Sequence, residues 1–416
     1  MLRKAAHGAL ITLLCPILLL LSGVSQAPAE TATAQGAHAG EPIPGSYFGV
    51  ALHGDRWPSF PFGSSRVLVA WKLVEPARGK WDFRQVDAYI ELAERNHADV
   101  LLDLGLTPPW ASSNPEGHCG AGTGNCWPPT AMQDWRDYLS AVATRYKGRA
   151  HYYQVWNEPN QPDFYQGSMD TLVNMTRIAY EVIKGVDPSN MVLSPPPNGP
   201  GGFRWLNNFL AQGGKRYFDI VAFHFYPCPA PPESIVAQGR ELRDVLARNG
   251  IAQRSMWDTE IGWTSPGVVL TDQRQAAYLA REIILDHIAG MSRFYWYIWN
   301  FAGEEELRTI DDGQTLSPAA RAYGQVHKWL LGSVLTQCSS DDIPAVWHAS
   351  HSMWTCELVR EGKTSRIVWN TDGDRQFPVP RSWRTATVQN LGGETSNLPQ
   401  SGEITIGEQP LLLQAR

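Results

Sequence analysis

The sequence is short of concentrated charge, of closely spaced cysteines and of long apolar runs. Lys and Arg total 35 against 41 Asp and Glu, a net charge of −6. No basic stretch is dense enough to neutralise a phosphate backbone, which excludes a dedicated nucleic-acid binder. Beyond the first 30 residues no segment is apolar enough to span a bilayer. The 6 cysteines never occur as Cys-x-x-Cys, so no structural zinc site is expected. No Gly-x-Gly-x-x-Gly follows a strand, no His-x-His ends one, and no Gly-x-Ser-x-Gly occurs. The Gly-rich loop from Cys119 to Cys126 has no lysine and is no phosphate loop. Neither a metal nor another cofactor is expected.

The N-terminus does carry an apolar run, from about Ala9 to Leu21, after Arg3 and Lys4 and before the small residues Ala27 and Ala29. That order describes a secretory signal peptide over residues 1–29, and Pro16 argues against a stable span. Cys15 lacks the small preceding residue of a lipidated cysteine. The expectation is a secreted or periplasmic protein with no membrane insertion after cleavage. Residues 30–44 read as a flexible leader. Export permits disulfides. Proximity suggests Cys119 with Cys126 and Cys338 with Cys356, leaving Cys228, although spacing alone does not fix connectivity.

What the chain has in quantity is aromatic: 17 Trp and 14 Tyr. Indoles fill cores, and they also stack on sugar rings; composition does not separate the two. With 43% hydrophobic and 18% charged residues over 416 positions, there is room for a large domain and a smaller companion. Short apolar runs at 47–53, 65–71, 98–104, 150–157, 191–194, 219–225, 255–259 and 293–299 read as strands. Helical spacing fills 83–96, 135–146, 171–185, 233–248 and 271–289. Ser317-Pro318 opens a further helix to Leu331. This alternation predicts an α/β chain, a (β/α)8 barrel over 45–332. From 333 to 416 the pattern becomes all-β, with runs at 346–354, 366–369, 385–390 and 403–406, and predicts a small sandwich-like domain.

Two motifs sit at predicted strand ends, where barrels build their sites. Trp156-Asn157-Glu158-Pro159-Asn160 ends the fourth run, and Trp257-Asp258-Thr259-Glu260-Ile261-Gly262-Trp263 ends the seventh. Two carboxylates on separated strands can face each other across a sugar, as glycosidic cleavage requires. Each also has a plain structural explanation, as an exposed turn acid or an ion-paired strand end, but the flanking residues favour a site. His224 and Tyr226 share a face after the sixth run, and His53 ends the first. Trp296 and Trp299 lie in the eighth, where alternation lets one face a pocket as its apolar floor. Trp110 follows the third run, where an outer subsite would lie. The loops 107–130 and 227–232 are candidate walls.

The Asn-Glu-Pro and Thr-Glu-x-Gly pair resembles the signature of clan A glycoside hydrolases. Trp71 with Glu75-Pro76, Trp81-Asp82-Phe83, Thr107-Pro108-Pro109-Trp110 and His224-Phe225-Tyr226 make family 39 the more similar group. That family holds β-xylosidases, α-L-iduronidases and exopolysaccharide-cleaving enzymes. The resemblance covers about residues 45–330. It implies a retaining O-glycoside hydrolase working by double displacement on an oligo- or polysaccharide, of plant xylan or microbial exopolysaccharide type. Glu158 would be the acid/base and Glu260 the nucleophile, with Asn157 on the sugar 2-hydroxyl, Tyr226 on the nucleophile and His224 on a hydroxyl. Arg66 would hold the nucleophile ionised. Asp258 departs from the clan, which carries an aliphatic residue there. Alternation puts it on the face of Glu260, one layer deeper, with Arg66 as its compensating cation. The alternative is a carbohydrate-binding barrel without turnover, which both glutamates argue against.

Overall fold

The computed structural model describes residues 32–34, 40–52, 54, 56–263, 270–299, 315–340, 352–383 and 385–415. Residues 1–29, expected to be a signal peptide, with Cys15 among them, and His53 lie outside the described residues. Eight parallel strands form the core: β1 (Phe48–Leu52), β2 (Ser64–Ala70), β3 (Asp99–Gly105), β4 (Tyr152–Val155), β5 (Met191–Leu193), β6 (Val221–Phe223), β7 (Met256–Ile261) and β8 (Met291–Trp299). Their order is β5-β4-β3-β2-β1-β8-β7-β6. The ends meet through a parallel bridge from Leu193 to Ile220, and Ser194 N–H donates to the Ile220 carbonyl at 2.9 Å. The predicted barrel is therefore closed.

The longer helices among the described residues are α1 (Arg84–Arg95), α2 (Met132–Arg145), α3 (Met169–Val186), α4 (Gly199–Ala211), α5 (Ile235–Arg248), α6 (Asp272–Ile288) and α7 (Pro318–Leu330), and one helical turn, Trp71–Val74, follows β2. Ser168, Thr271 and Ser317 cap α3, α6 and α7, each accepting a backbone N–H three residues on, and Pro318 opens α7. Two differences from the sequence reading stand out. Helix α4 escaped it, because Gly199, Pro200, Gly201 and Gly202 lead the segment and mask its period. The other is a gap in the (β/α)8 pattern: among the described residues no helix links β1 to β2, a stretch where the sequence had shown no helical spacing either.

Inside the barrel, Leu101, Leu193, Ile220, Ala222, Trp257 and Tyr295 pack into a floor below the strand ends. Gly49 permits it. A Cβ there would lie 2.5 Å from the Tyr295 ring, a contact no side chain tolerates.

After α7 the chain turns antiparallel: β9 (Val334–Ser340), β10 (Met353–Arg360), β11 (Lys363–Asn370), β12 (Arg375–Pro378), β13 (Thr385–Gln389), β14 (Thr395–Asn397), β15 (Glu403–Ile406) and β16 (Leu411–Ala415). The run expected from Val346 falls partly on residues outside the described set. Strands β12 and β15 pair as a separate ribbon. Alternation splits β11: Val368 packs with Phe377, Ile404 and Leu413 under that ribbon, while Ile367 and Trp369 join the barrel's core. The expected sandwich is thus seated on the barrel. The 30–44 leader is not wholly loose. Ala32–Ala34 pairs with β9, and Ile43, 1% exposed, exchanges backbone hydrogen bonds with the turn after α7. An apolar side chain with a place in the core anchors the leader's end.

Both expected disulfides are present, Cys119–Cys126 and Cys338–Cys356, and Cys228 is buried outside them. No helix among the described residues is long and apolar enough to cross a membrane.

Barrel and sheet are joined at a buried ion pair of the barrel, to which the sheet's Trp369 donates. Glu233 lies 3.2 Å from Arg281 and accepts a 2.9 Å hydrogen bond from Trp369 Nε1. Glu233→Ala strands a buried guanidinium and should cost about 3–5 kcal/mol in denaturant unfolding, with Glu233→Gln costing less. Equal stability of both variants and the parent would contradict this account of the joint.

Candidate active site

Above the barrel floor lies a cavity of about 350 Å³, lined by Arg66, Asp103, Asn157, Glu158, Glu260 and Tyr297 among others. That size suits a small-molecule or sugar site. Three residues of its wall, Leu106, Trp156 and Glu158, hold positive φ of 62°, 66° and 41°. Non-glycine residues reach that region at a cost of about 1–3 kcal/mol each, and packing must enforce it. Here the turn after β4 projects Glu158 inward although it is only 1% exposed.

Each glutamate has its own surroundings. Glu158 Oε1 lies 2.8 Å from His224 Nδ1, and its Oε2 has no hydrogen-bond partner among the described residues. Burial pushes its carboxyl up to about 7, against the opposing influence of the nearby Asn198 side chain and the charge of Arg66. Burial likewise pushes the His224 imidazole down to about 3, so it is neutral over the working range. Glu260 is held differently. Arg66 Nη1 donates to its Oε2, and the Tyr226 hydroxyl donates to Oε1 at 2.6 Å. Two donors on two oxygens suit the ionised form.

Arg66 spreads across the site. Its Nη2 also reaches Asp103 at 2.7 Å and Asn157 Oδ1 at 2.6 Å. Burial raises the Asp103 carboxyl to about 6, with Arg66 pulling the other way. Asp103 and its partner Gln154, 2.8 Å away, were missed by the sequence reading. The signal was there: alternation from Leu101 turns Asp103 inward, an acid in an otherwise apolar run.

Several expectations need correction. Asp258 does not share a face with Glu260, and Arg66 does not reach it. Trp257 points into the barrel floor, and β7 slips its register against β8 between Asp258 and Ile261. That bulge returns Glu260 to the cavity and turns Asp258 toward α6. Trp296 and Trp299 are both core. A second irregularity, pairing Val50 with Trp296 but Leu52 with Trp299, gives the wall to Tyr297 and Ile298, and Trp299 packs edge-on against Phe60. Trp110 lines no part of the cavity; it donates to the Glu75 carbonyl at 2.8 Å, under Arg78. His224 meets Glu158 rather than open space. Of the candidate walls, the 107–130 loop contributes Ala121, which Lys72 ties down. The 227–232 segment instead packs beneath Trp263, whose Nε1 donates to the Ala230 carbonyl at 2.9 Å.

Ligand atoms of Glu158, His224 and Glu260 lie within 4.8 Å of one another. A cation there would compete with the Arg66 guanidinium already bound to Glu260, so the donor set does not fit a metal. It fits two carboxyls across a reacting bond.

The glycosyl hydrolase catalytic core family matches residues 124–323. The chain resembles clan A glycoside hydrolases. A β-xylosidase of Geobacillus stearothermophilus is 26% identical over 226 residues, covering 48% of this chain and 44% of that protein. The chain thus spans less than half the length of that curated relative. In fold, it is similar to a family 39 glycoside hydrolase from the gut symbiont Bacteroides cellulosilyticus WH2, with TM-score 0.70, 20% identity and coverage of 90% and 81%. A monomeric β-xylosidase from Caulobacter crescentus CB15 gives TM-score 0.63 at 14% identity, covering 91% and 98%. The barrel with its β extension is the fold these structures have in common with this chain.

Carboxyl-resolved NMR should find Glu158 titrating near 7, a signal that Glu158→Gln removes, while His224 stays neutral through about pH 5. A Glu158 signal titrating near 4 would contradict the burial argument.

Proposed function

We propose that this protein is a secreted or periplasmic retaining O-glycoside hydrolase acting on an oligo- or polysaccharide. The observation that carries the reading is the pair of carboxyls. Their closest oxygens lie within 4.8 Å, one held by two donors and the other raised to about 7 with an oxygen to spare. So short a separation leaves no room for a water between the second carboxylate, Glu260, and the anomeric carbon, which favours double displacement over inversion.

In the first step a Glu260 oxygen forms a bond to the anomeric carbon. The bond from that carbon to the leaving oxygen breaks, and Glu158 transfers its proton to that oxygen. In the second step Glu158, now a carboxylate, takes a proton from water. The water oxygen bonds to the anomeric carbon and Glu260 departs, which restores both groups and retains configuration. Arg66 and Tyr226 keep Glu260 oriented and charged for attack. Asn157, fixed by Arg66, lines the cavity beside Glu158 and is placed for the sugar 2-hydroxyl. The name of the curated relative makes xylan-type chains the first substrate to test.

Glu158 must be protonated to act as acid, so rates should hold below about pH 7 and fall above it. Glu158→Gln should lower kcat on a poor leaving group by about 10²–10⁴-fold. Glu260→Ala should abolish turnover. A 2-fluoro xyloside should label Glu260, and NMR should show the product anomer first released with the substrate's configuration. Release of the opposite anomer would overturn the mechanism.

A further inference from the structure

Three neighbouring strands build a polar brace into the wall of the cavity. In the parallel ladder Arg66 of β2 pairs with Leu101 of β3, which belongs to the apolar floor. Asp103 lies two residues on, one layer higher on the same face, and pairs across to Gln154 of β4. The long Arg66 side chain climbs that layer, and its Nη2 donates to Asp103 Oδ2 at 2.7 Å. From the other side Gln154 Nε2 donates to Asp103 Oδ1 at 2.8 Å. Asp103 is 2% exposed and Gln154 not at all.

Each oxygen of Asp103 thus has its own donor, the arrangement that suits an ionised carboxyl. With both oxygens engaged inside the wall, Asp103 is not placed to hold a sugar. What it holds is the guanidinium. Arg66 Nε finds no acceptor among the described residues, so the fork is gripped at its tip. Nη1 donates to Glu260 of β7, and Nη2 is shared between Asp103 and Asn157 Oδ1. An acid on each prong fixes the plane of the fork; without Asp103 only the Asn157 amide would steady Nη2. Charge is the second consequence, because Asp103 and Glu260 flank one cation. The charged and titratable groups facing Asp103 are Arg66, Glu260, Glu158 and, from α2, Tyr138. Those facing Glu158 are His224, Arg66, Glu260 and Tyr226.

We propose that Asp103, steadied by Gln154, is a positioning residue that aims the Arg66 fork at Glu260 and Asn157 and offsets enough of its charge for Glu158 to keep its proton. This rests on the reading of Glu158 as acid and Glu260 as nucleophile. Asp103 acts through Arg66 and does not touch the sugar. The charge of Glu158 raises the Asp103 carboxyl, and linkage requires the charge of Asp103 to raise Glu158 by the same free energy. Arg66 pulls both the other way. Asp103, at about 6, is already ionised where Glu158 titrates, near 7. Its charge is therefore present at the alkaline limb. Removing that charge lowers Glu158, so the limb moves to lower pH.

The test uses the full chain with xylobiose as probe, a substrate whose leaving group needs a proton. Asp103→Asn keeps the size and an acceptor for Arg66 but drops the charge. The alkaline limb of kcat/KM, and the Glu158 signal in carboxyl-resolved NMR, should both move down by about one pH unit. Asp103→Ala drops the grip as well, and kcat should fall about 10²-fold with KM nearly unchanged, the scale of a small misplacement of a reacting group. A brace that served stability alone would lower the thermal midpoint of both variants and leave limb and kcat where they were. That result, or an Asp103→Asn protein whose Glu158 titrates as in the parent, would overturn the proposal. Should Asp103→Ala fail to fold, Asp103→Asn decides by itself. If the parent cleaves no glycoside, the functional reading fails, while the NMR titration still decides whether Asp103 offsets Arg66.

Discussion

The site depends on one buried cation. Arg66 rises from β2 and is gripped by groups from β3, β4 and β7, so a single guanidinium sets the relative positions of Asp103, Asn157 and Glu260. Stripping water from such a charge costs several kcal/mol, and only close, hydrogen-bonded partners offset it. The planar fork matters as much as the charge, because a point-like ammonium cannot address three acceptors at fixed angles. Glu158 feels the same charge from farther away. Its environment is therefore dominated by burial, whereas that of Glu260 is dominated by donors. The difference in surroundings between two chemically identical side chains follows from how far each stands from Arg66.

Much of this was legible in the sequence, and the reason is periodicity. Strand ends carrying Glu158, Glu260, His224 and Tyr226 announce themselves by short apolar runs that stop at polar residues, whereas Arg66, inside β2, was picked out only by the family resemblance. The fold follows from the same alternation. What was not legible is where alternation breaks. The bulges in β7 and β8 are backbone events with no residue signature of their own, and they reverse the facing of Asp258, Trp296 and Trp299. Trp110 illustrates a different blind spot. An indole after a strand has the same appearance whether it meets a sugar or, as here, a carbonyl and a guanidinium.

The abundance of tryptophan resolves in the same way. Trp71, Trp135, Trp156, Trp296 and Trp369 are fully buried, and of these only Trp156 also lines the cavity. Aromatic content here mainly measures packing. The polar chemistry is instead concentrated in a thin layer, between the floor of Leu101, Trp257 and Tyr295 and the cavity mouth. The exposed Leu68 and Leu73 border that mouth on the side where no described helix joins β1 to β2.

Helix α6 lies between the two halves of the molecule. It is buried throughout Ala276–Ile288. Arg281 reaches Glu233 and, through it, Trp369 of the antiparallel sheet; Arg274 reaches Glu408 at 2.6 Å. The C-terminal sheet thus forms an outer wall over α6. Cutting the chain after α7 would remove Trp369 from Glu233 and open the buried Glu233–Arg281 pair to water. Barrel and sheet are separable as shapes but form one electrostatic unit.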